Sequence, residues 1–299
     1  MTYSCPCPEN NESEILYQAH HNSHEIKVNV ECTSHSNENI KHWKPTLLKC
    51  KKCKLIFSSL VNIDFEDSYI NVIDETYISQ IPFKTKTLKL LFKKIRQHLN
   101  KNSEVLEIGS YYGVLGNIIK PHVKIYTGLE LSKHAAKYSI ERYNLNVIVQ
   151  SLDKFLKNGY KYDVIIMTDV IEHLDDPFNI LKLIEKSLKS NGVLILSTFN
   201  IASVIPRIMK RKYYWLIPMH KYYFSNSTLK YFLYKYNLHL FKVKTDTRLI
   251  SLKYLLNKFI VFAPKLAFAF NYLLNFNFVN NLTVRVNLLD LNIYFSKKK

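Results

Sequence analysis

The sequence predicts an α/β fold, a doubly wound and mostly parallel seven-stranded sheet with a small cysteine-containing appendage at its N-terminal end. Two observations carry this. Between residues 81 and 245, apolar runs of strand length alternate with stretches of helical periodicity, the pattern that parallel βαβ units produce. All five cysteines lie within the first 53 residues and all six glycines between Gly109 and Gly192. That segregation implies a boundary, drawn here as an N-terminal region over 1–80 and a larger domain over 81–299 with a helical insertion near 250–280.

The elements follow in order. In IPFKTKTLKLLFKKIRQHLN (81–100), Leu88, Leu91, Phe92, Ile95 and Leu99 recur at helical spacing. Strands are expected at 104–108, 124–129, 147–150, 162–167 and 192–197, with helices at 113–120, 132–143, 152–158 and 177–190 between them. Asp176-Pro177 supplies an N-cap and a first-turn proline for the last of these helices. Beyond residue 200 come a loop rich in Tyr and Trp, a helix at 226–236, a strand at 238–245, two apolar helices and a closing strand at 283–296.

The chain has 299 residues, 47% of them hydrophobic, enough for a sizeable core. Its net charge is +18, from 42 basic and 24 acidic residues. Such a charge suits phosphates, anionic glycans, nucleic acid or a membrane surface. The lysines are scattered, however, as on an evenly solvated surface. MTYSCPCPEN lacks the basic and apolar regions of a signal peptide, so a cytoplasmic location and reduced cysteines are expected. The most apolar stretch, 252–278, is broken by Lys253, Lys258, Pro264 and Lys265 and falls short of a spanning helix. Its apolar faces suit core first, then a lid, then a peripheral membrane-surface contact.

Cys5-Pro-Cys7 and Cys50-Lys-Lys-Cys53 are two cysteine pairs, and four thiolates complete a tetrahedral zinc shell. Such a zinc is structural, because no position remains open to substrate. The first pair is one residue shorter than the usual spacing, and Cys32 and His35 are alternatives to it.

The stretch VLEIGSYYGVLG (105–116) holds Gly109, Gly113 and Gly116 immediately after the first expected strand of the larger domain. In a doubly wound sheet the ligand lies beyond the carboxyl ends of the strands, where the first turn must let backbone approach closely. Glu107, two residues before Gly109, is placed to accept from a cationic amino group. Glu130, 21 residues after Gly109, is placed to take ribose hydroxyls. A nucleoside carrying an ammonium group suits that pair.

VLEIGSYYGVLG, YTGLELSKHAAKYS and YDVIIMTDVIEHLDDPFNILKLIEKSLKSNGVLILSTFN together resemble the class I S-adenosylmethionine-dependent methyltransferases, over residues 81–245. The closing VRVNLLDLNIYFSKKK resembles one branch, whose members carry an N-terminal cysteine knuckle and occur in sugar and surface-polysaccharide biosynthesis. Two departures stand out: Tyr111 replaces the central glycine of G-x-G-x-G, and the first cysteine pair is C-x-C. The resemblance implies a Rossmann-like methyltransferase fold with S-adenosyl-L-methionine as cofactor. Glu107, Gly109, Ser110 and Gly113 would hold its methionine part, Glu130 the ribose, Leu131, Ser151 and Leu152 the adenine, and Asp169 and Val170 the methionine side.

A sulfonium methyl is already activated, so the protein mainly aligns the reactants and excludes water. His173, just past the fourth strand, is the candidate general base, with Glu172 orienting it or touching substrate. His220, Tyr222 and Tyr223 are candidate acceptor contacts, with Arg207, Lys210, Arg211 and Lys212 placed to meet a diphosphate or glycan carboxylates. A merely packed aromatic loop carries equal weight. The expected function is methyl transfer to a hydroxyl of a sugar nucleotide or surface-glycan intermediate. Three rival readings stand beside it. Methylation of RNA, DNA or protein suits the charge, but TDVIEHL is not the Asn/Asp-Pro-Pro-Tyr type of segment, and nucleic acid is not an expected partner. A dinucleotide oxidoreductase wants G-x-G-x-x-G where this chain has G-x-x-x-G-x-x-G. A non-catalytic scaffold is disfavoured by the retained acidic residues.

Overall fold

The computed structural model describes residues 3–9, 11–19, 45–61, 69–71, 73–251 and 283–298. Cys32, His35 and the apolar segment 252–282 lie outside the described residues.

Seven strands form the central sheet: β5 (Glu104–Ile108), β6 (Ile125–Glu130), β7 (Val147–Val149), β8 (Tyr162–Thr168), β9 (Leu188–Phe199), β11 (Leu238–Thr245) and β14 (Leu291–Lys298). Their order is β11-β14-β9-β8-β5-β6-β7, and β14 alone runs against its neighbours. The strand interiors carry the reason. Val105, Leu106, Ile165, Ile166, Leu194 and Ile195 are all fully buried, as strands covered by helices on both faces require. The chain order reverses between β5 and β8, and at such a switch point the crossovers leave on opposite faces and open a crevice at the strand tips.

The helices that shape this crevice are α1 (Glu75–Ser79), α2 (Ile81–Ile95), α3 (Val114–Ile119), α4 (Lys133–Tyr143), α5 (Leu152–Leu156) and α6 (Pro177–Ser187). Helix α6 starts where expected: the Asp176 carboxylate accepts from the backbone N–H of Phe178 and Asn179, and Pro177 fills the first turn. Such a cap is worth about 1 kcal/mol. The helix ends three residues earlier than expected, because Leu188 turns extended and pairs with Tyr162 at the start of β9.

The cysteine-bearing region is built from β1 (Tyr3–Ser4), β2 (Glu12–Tyr17), β3 (Leu47–Cys50) and β4 (Ile56–Ser58), all antiparallel. Its fifth strand comes from far along the chain. β10 (Tyr222–Tyr223) pairs with β4, and Cys5, Cys7, Cys50 and Phe57 share one apolar cluster with Phe178, Leu181 and Tyr222. The two parts are therefore packed against each other across residue 80. The expected closing strand at 283–296 divides in two: β13 (Thr283–Val286) pairs with β12 (Arg248–Ser251), a strand not foreseen, and β14 completes the central sheet.

Candidate active site

At the tip of β5 the chain makes a left-handed turn. Gly109 and Gly113 have φ of +71° and +70°, a region costly to side-chain-bearing residues. Space is equally short. A Cβ on Gly109 would lie 2.6 Å from Val170 Cγ2, and one on Gly113 would lie 2.7 Å from Ser139 Oγ. The first contact ties the β5 turn to the β8 turn, across the switch point. Gly116 lies within α3, inside the helix expected there, and its missing Cβ makes room for the Tyr126 hydroxyl.

That hydroxyl donates to Glu107 Oε2 at 2.5 Å. Glu107 is 3% exposed, and burial pushes its carboxyl up to about 8, with the Tyr126 bond pulling down and the Glu130 charge pushing further up. Glu130 closes β6. Its Oε1 accepts from the N–H of Leu131 and Ser132 at 2.9 and 2.8 Å, and its Oε2 from the N–H of Tyr111 at 2.7 Å. A carboxylate offers about four acceptor positions, so one remains on Oε2.

Tyr111, at the usual glycine position, has φ of +47°. Three bonds hold it there. Its N–H reaches Glu130, its hydroxyl donates to Asp74 Oδ2 at 2.8 Å, and its carbonyl accepts from Ser139 Oγ at 3.0 Å. The Tyr112 hydroxyl accepts from the Asp74 N–H at 2.9 Å, and Tyr77 packs edge-on against Tyr111 and stacks on Tyr112. The bulky loop thus fastens the start of α1 over the turn. Ser110 is buried, its side chain filling the space beside Gly128. Leu131, Ser151 and Leu152 are half-buried at the tips of β6 and β7, with Ser151 preceding α5.

Beyond β8, Asp169 also sits at positive φ, +54°. Ser197 Oγ donates to its Oδ1 at 3.0 Å and Arg248 Nη2 to its Oδ2 at 2.5 Å. The Arg248 guanidinium lies 5.3 Å from the Phe199 ring centroid and 5.7 Å from that of Trp215, within cation–π range. Arg248, a single arginine far along the chain, carries no motif that marks it in sequence.

Glu172, His173 and His220 come together. One ligand atom from each lies within 4.8 Å of the others, and the two imidazole centroids are 4.7 Å apart, edge to face. His173 Nδ1 is 3.1 Å from the Met219 carbonyl and His220 Nδ1 is 2.9 Å from that of Trp215. Only a protonated Nδ1 bonds a carbonyl, so in its neutral form each ring carries its lone pair on Nε2. Of the two roles expected of Glu172, orienting His173 or touching substrate, the first falls to the Met219 carbonyl. The Tyr69 hydroxyl, also unforeseen, stands 3.3 Å from the same Nδ1. Glu172 is 2% exposed, and neither oxygen completes a hydrogen bond among the described residues. Burial, then the Asp169 charge, pushes its carboxyl up to about 8, against the opposing pull of the Arg248 charge.

Tyr222 and Tyr223, expected as acceptor contacts, spend their hydroxyls on the protein's own backbone. Both are buried in β10; the Tyr222 hydroxyl donates to the Asp175 carbonyl at 2.9 Å and the Tyr223 hydroxyl to that of Ile217 at 3.2 Å. Strand pairing with β4 consumes this segment, so the packed reading applies to it. Arg207, Lys210 and Lys212 are exposed and Arg211 is half-buried.

The four predicted cysteines do converge. Their Sγ atoms lie within 4.8 Å of one another, with Cys5 and Cys53 at 3.8 Å. The backbone N–H groups of Cys7 and Cys53 point at Cys5 Sγ and Cys50 Sγ, each 3.4 Å away. The short C-x-C spacing therefore does not prevent a four-sulfur cluster.

A family profile described as a methyltransferase domain matches residues 79–243, over half of the chain. The chain belongs to the methyltransferase domain family. Ubiquinone biosynthesis O-methyltransferase from Coxiella burnetii is 30% identical over 127 residues, covering 39% of this chain and 54% of that protein. The same-named protein of Glaesserella parasuis is 31% identical over 107 residues, covering 32% and 45%. The chain thus spans about half the length of the curated relatives it matches. Among solved structures, SAM-dependent methyltransferases from Thermotoga maritima and Archaeoglobus fulgidus each superpose with a TM-score of 0.50, at 18% and 17% identity. They cover 79% and 75% of this chain, and 98% and 100% of their own. The methyltransferase domain here has the same Rossmann-like fold. Among the described residues, no helix is long and apolar enough to cross a membrane.

Proposed function

We propose that this methyltransferase domain transfers a methyl group from S-adenosyl-L-methionine to a hydroxyl of a small, ring-shaped, anionic acceptor. The observation that carries this reading is the grouping of Glu107, Glu130 and the left-handed Gly109–Gly113 turn at the switch point, with His173 in the turn that follows the adjacent strand β8. The residues suit the cofactor. Glu130 Oε2 keeps one acceptor position for a ribose hydroxyl. Glu107, raised to about 8, is a carboxyl that an ammonium group would return to its charged form. When bound, this cofactor supplies a sulfonium methyl that needs alignment more than activation.

The chain's own residues then do three things. The Gly109 and Val170 turns set the floor of the crevice. Phe199 and Trp215 stack on each other with the Arg248 guanidinium over both rings, and Arg248, bonded to Asp169, retains donors for an anionic substituent. His173, with its proton fixed on Nδ1 by Met219, receives the acceptor's hydroxyl proton at Nε2.

For the acceptor, a sugar nucleotide or surface-glycan intermediate suits the aromatic wall with a cation, and the cysteine region accords with that branch. A phenolic acceptor is the second reading, favoured by the name of the curated relatives. The four-cysteine cluster binds a structural zinc that stabilises the N-terminal sheet. Incubating the full chain with methyl-labelled cofactor and either sugar nucleotides or hydroxylated phenols, followed by mass analysis for one added methyl, tests the reading. No methyl gain on any hydroxyl compound, despite cofactor binding, would overturn it.

A further inference from the structure

Asp290 stands immediately before β14, 4% exposed, where a carboxylate is costly unless donors surround it. Two tyrosines supply them. Tyr213 and Tyr214 donate their hydroxyls to the same oxygen, Oδ2, at 2.8 and 2.6 Å, which uses both of its acceptor positions. Side chains of neighbouring residues in an extended chain point apart, so two neighbours sharing one acceptor hold the loop bent there. Burial, then the Asp290 charge, keeps the Tyr213 hydroxyl well above its ordinary range, so it stays a donor. The Asp290 carbonyl also accepts from the Asn200 N–H at 2.6 Å. One residue thus ties down both the start and the middle of the segment that follows β9. The residue placed by this bend is Trp215, next in the chain. Its ring stacks on Phe199, with centroids 4.5 Å apart, and its carbonyl accepts from His220 Nδ1 at 2.9 Å. Leu291, beside Asp290, acts on the cation: its carbonyl accepts from the Asp246 N–H at 2.7 Å, two residues before Arg248. The Arg248 guanidinium then lies 5.7 Å from the Trp215 centroid and 5.3 Å from that of Phe199.

We propose that Asp290 is a positioning residue for acceptor selection: it seats the Phe199–Trp215 stack under the Arg248 guanidinium and thereby aims the donors that Asp169 leaves over at an anionic substituent of the acceptor. The inference rests on the methyl-transfer reading of this crevice and deepens it. Asp290 acts through the loop and touches no acceptor itself. A guanidinium carries its donors in one plane, so the stack that fixes the plane fixes the direction of recognition. Its side chain is 32% exposed, which leaves that edge open to a ligand. Loosening the loop should therefore cost acceptor affinity far more than cofactor affinity. Glu107, Glu130 and the Gly109–Gly113 turn belong to β5 and β6, on the other side of β8 from β9 and β14.

Trp215 is one of two tryptophans. With the other, Trp43, replaced by phenylalanine, emission from the full chain reports on Trp215 and its stack. This parent chain, loaded with S-adenosylhomocysteine, is titrated with uridine diphosphate glucuronate and separately with protocatechuate, an anionic probe for each acceptor reading. At least one should change the emission. Asp290→Asn should alter the resting emission and weaken that titration about tenfold or more, and Tyr214→Phe, which removes one hydroxyl donor, about threefold. Both should bind S-adenosylhomocysteine within about twofold of the parent, because the two sites are separate. A merely structural role would lower both affinities together, and that result overturns the proposal. So does unchanged emission or unchanged probe affinity in Asp290→Asn, or a parent chain that answers neither probe. Should Asp290→Asn fail to fold, Tyr214→Phe decides by the same criteria. Failure of S-adenosylhomocysteine to bind the parent chain, read by calorimetry, overturns the methyl-transfer reading beneath, a result independent of the emission titration.

Discussion

The Tyr126 hydroxyl donates to Glu107 Oε2 across 2.5 Å, in space that only a glycine at position 116 leaves open. The cofactor-side carboxylate is therefore positioned from beneath by its neighbouring strand. Gly116→Ala should push the tyrosine away and destabilise the fold by about 1–3 kcal/mol, the usual cost of overpacking. Tyr126→Phe should lose the same bond without the clash and leave Glu107 more strongly protonated. Thermal unfolding and S-adenosylhomocysteine affinity measure the two effects; an unchanged affinity in Tyr126→Phe would refute the positioning role.

Stability should depend on pH in a direction set by Glu107 and Glu172. Burial raises both to about 8 in the folded chain, well above an unfolded carboxyl. The folded state therefore binds more protons than the unfolded one between about 4.5 and 8, and stability falls as pH rises through that window. Urea unfolding at pH 5.5 and pH 8 checks the sign. Glu107→Gln and Glu172→Gln should each flatten the slope, and a wild-type chain that gains stability towards pH 8 from these groups would contradict it.

Tyr111→Phe isolates the fastening of α1 over the glycine turn. The ring and its left-handed backbone remain, while the hydroxyl bond to Asp74 is lost. A hydrogen bond to a charged group contributes about 1.5–3 kcal/mol, less where water can substitute. Residues 74–79 should become easier to cleave in limited proteolysis, with faster release of S-adenosylhomocysteine. Wild-type cleavage kinetics would remove the fastening role.

Cys50→Ser should unsettle the N-terminal sheet without reaching the cofactor directly. Cys50 is fully buried in the four-sulfur cluster, and that cluster packs against Phe178 and Tyr222. Zinc content by mass spectrometry should fall from one equivalent, and the melting temperature should fall with it. Equal zinc content in the two proteins would count against a cysteine-held metal.

How much was legible differs between fold and site. The alternation of strand and helix patterns between 104 and 199 gave nearly every element, because each segment's local preference agrees with its place in the sheet. Asp176-Pro177 marked α6 by local chemistry alone. The packing role of Gly116 was not legible, because the Tyr126 ring that fills its space comes from the neighbouring strand. The burial of Tyr222 and Tyr223 was not legible because pairing between β4 and β10 joins residues some 160 positions apart, which no local pattern encodes. Arg248 and Tyr69 reach the site only through tertiary packing. The four cysteines were legible because metal-type spacing repeats a small set of geometries.

The most direct test is calorimetric titration of the purified chain with S-adenosylhomocysteine, beside Glu107→Gln and Glu130→Gln variants and with a pyridine dinucleotide as the competing ligand. One binding event is expected for the wild-type chain, weakened at least about tenfold in both variants, with no heat from the dinucleotide. Dinucleotide binding in the absence of any signal from the sulfur nucleoside would contradict the central claim.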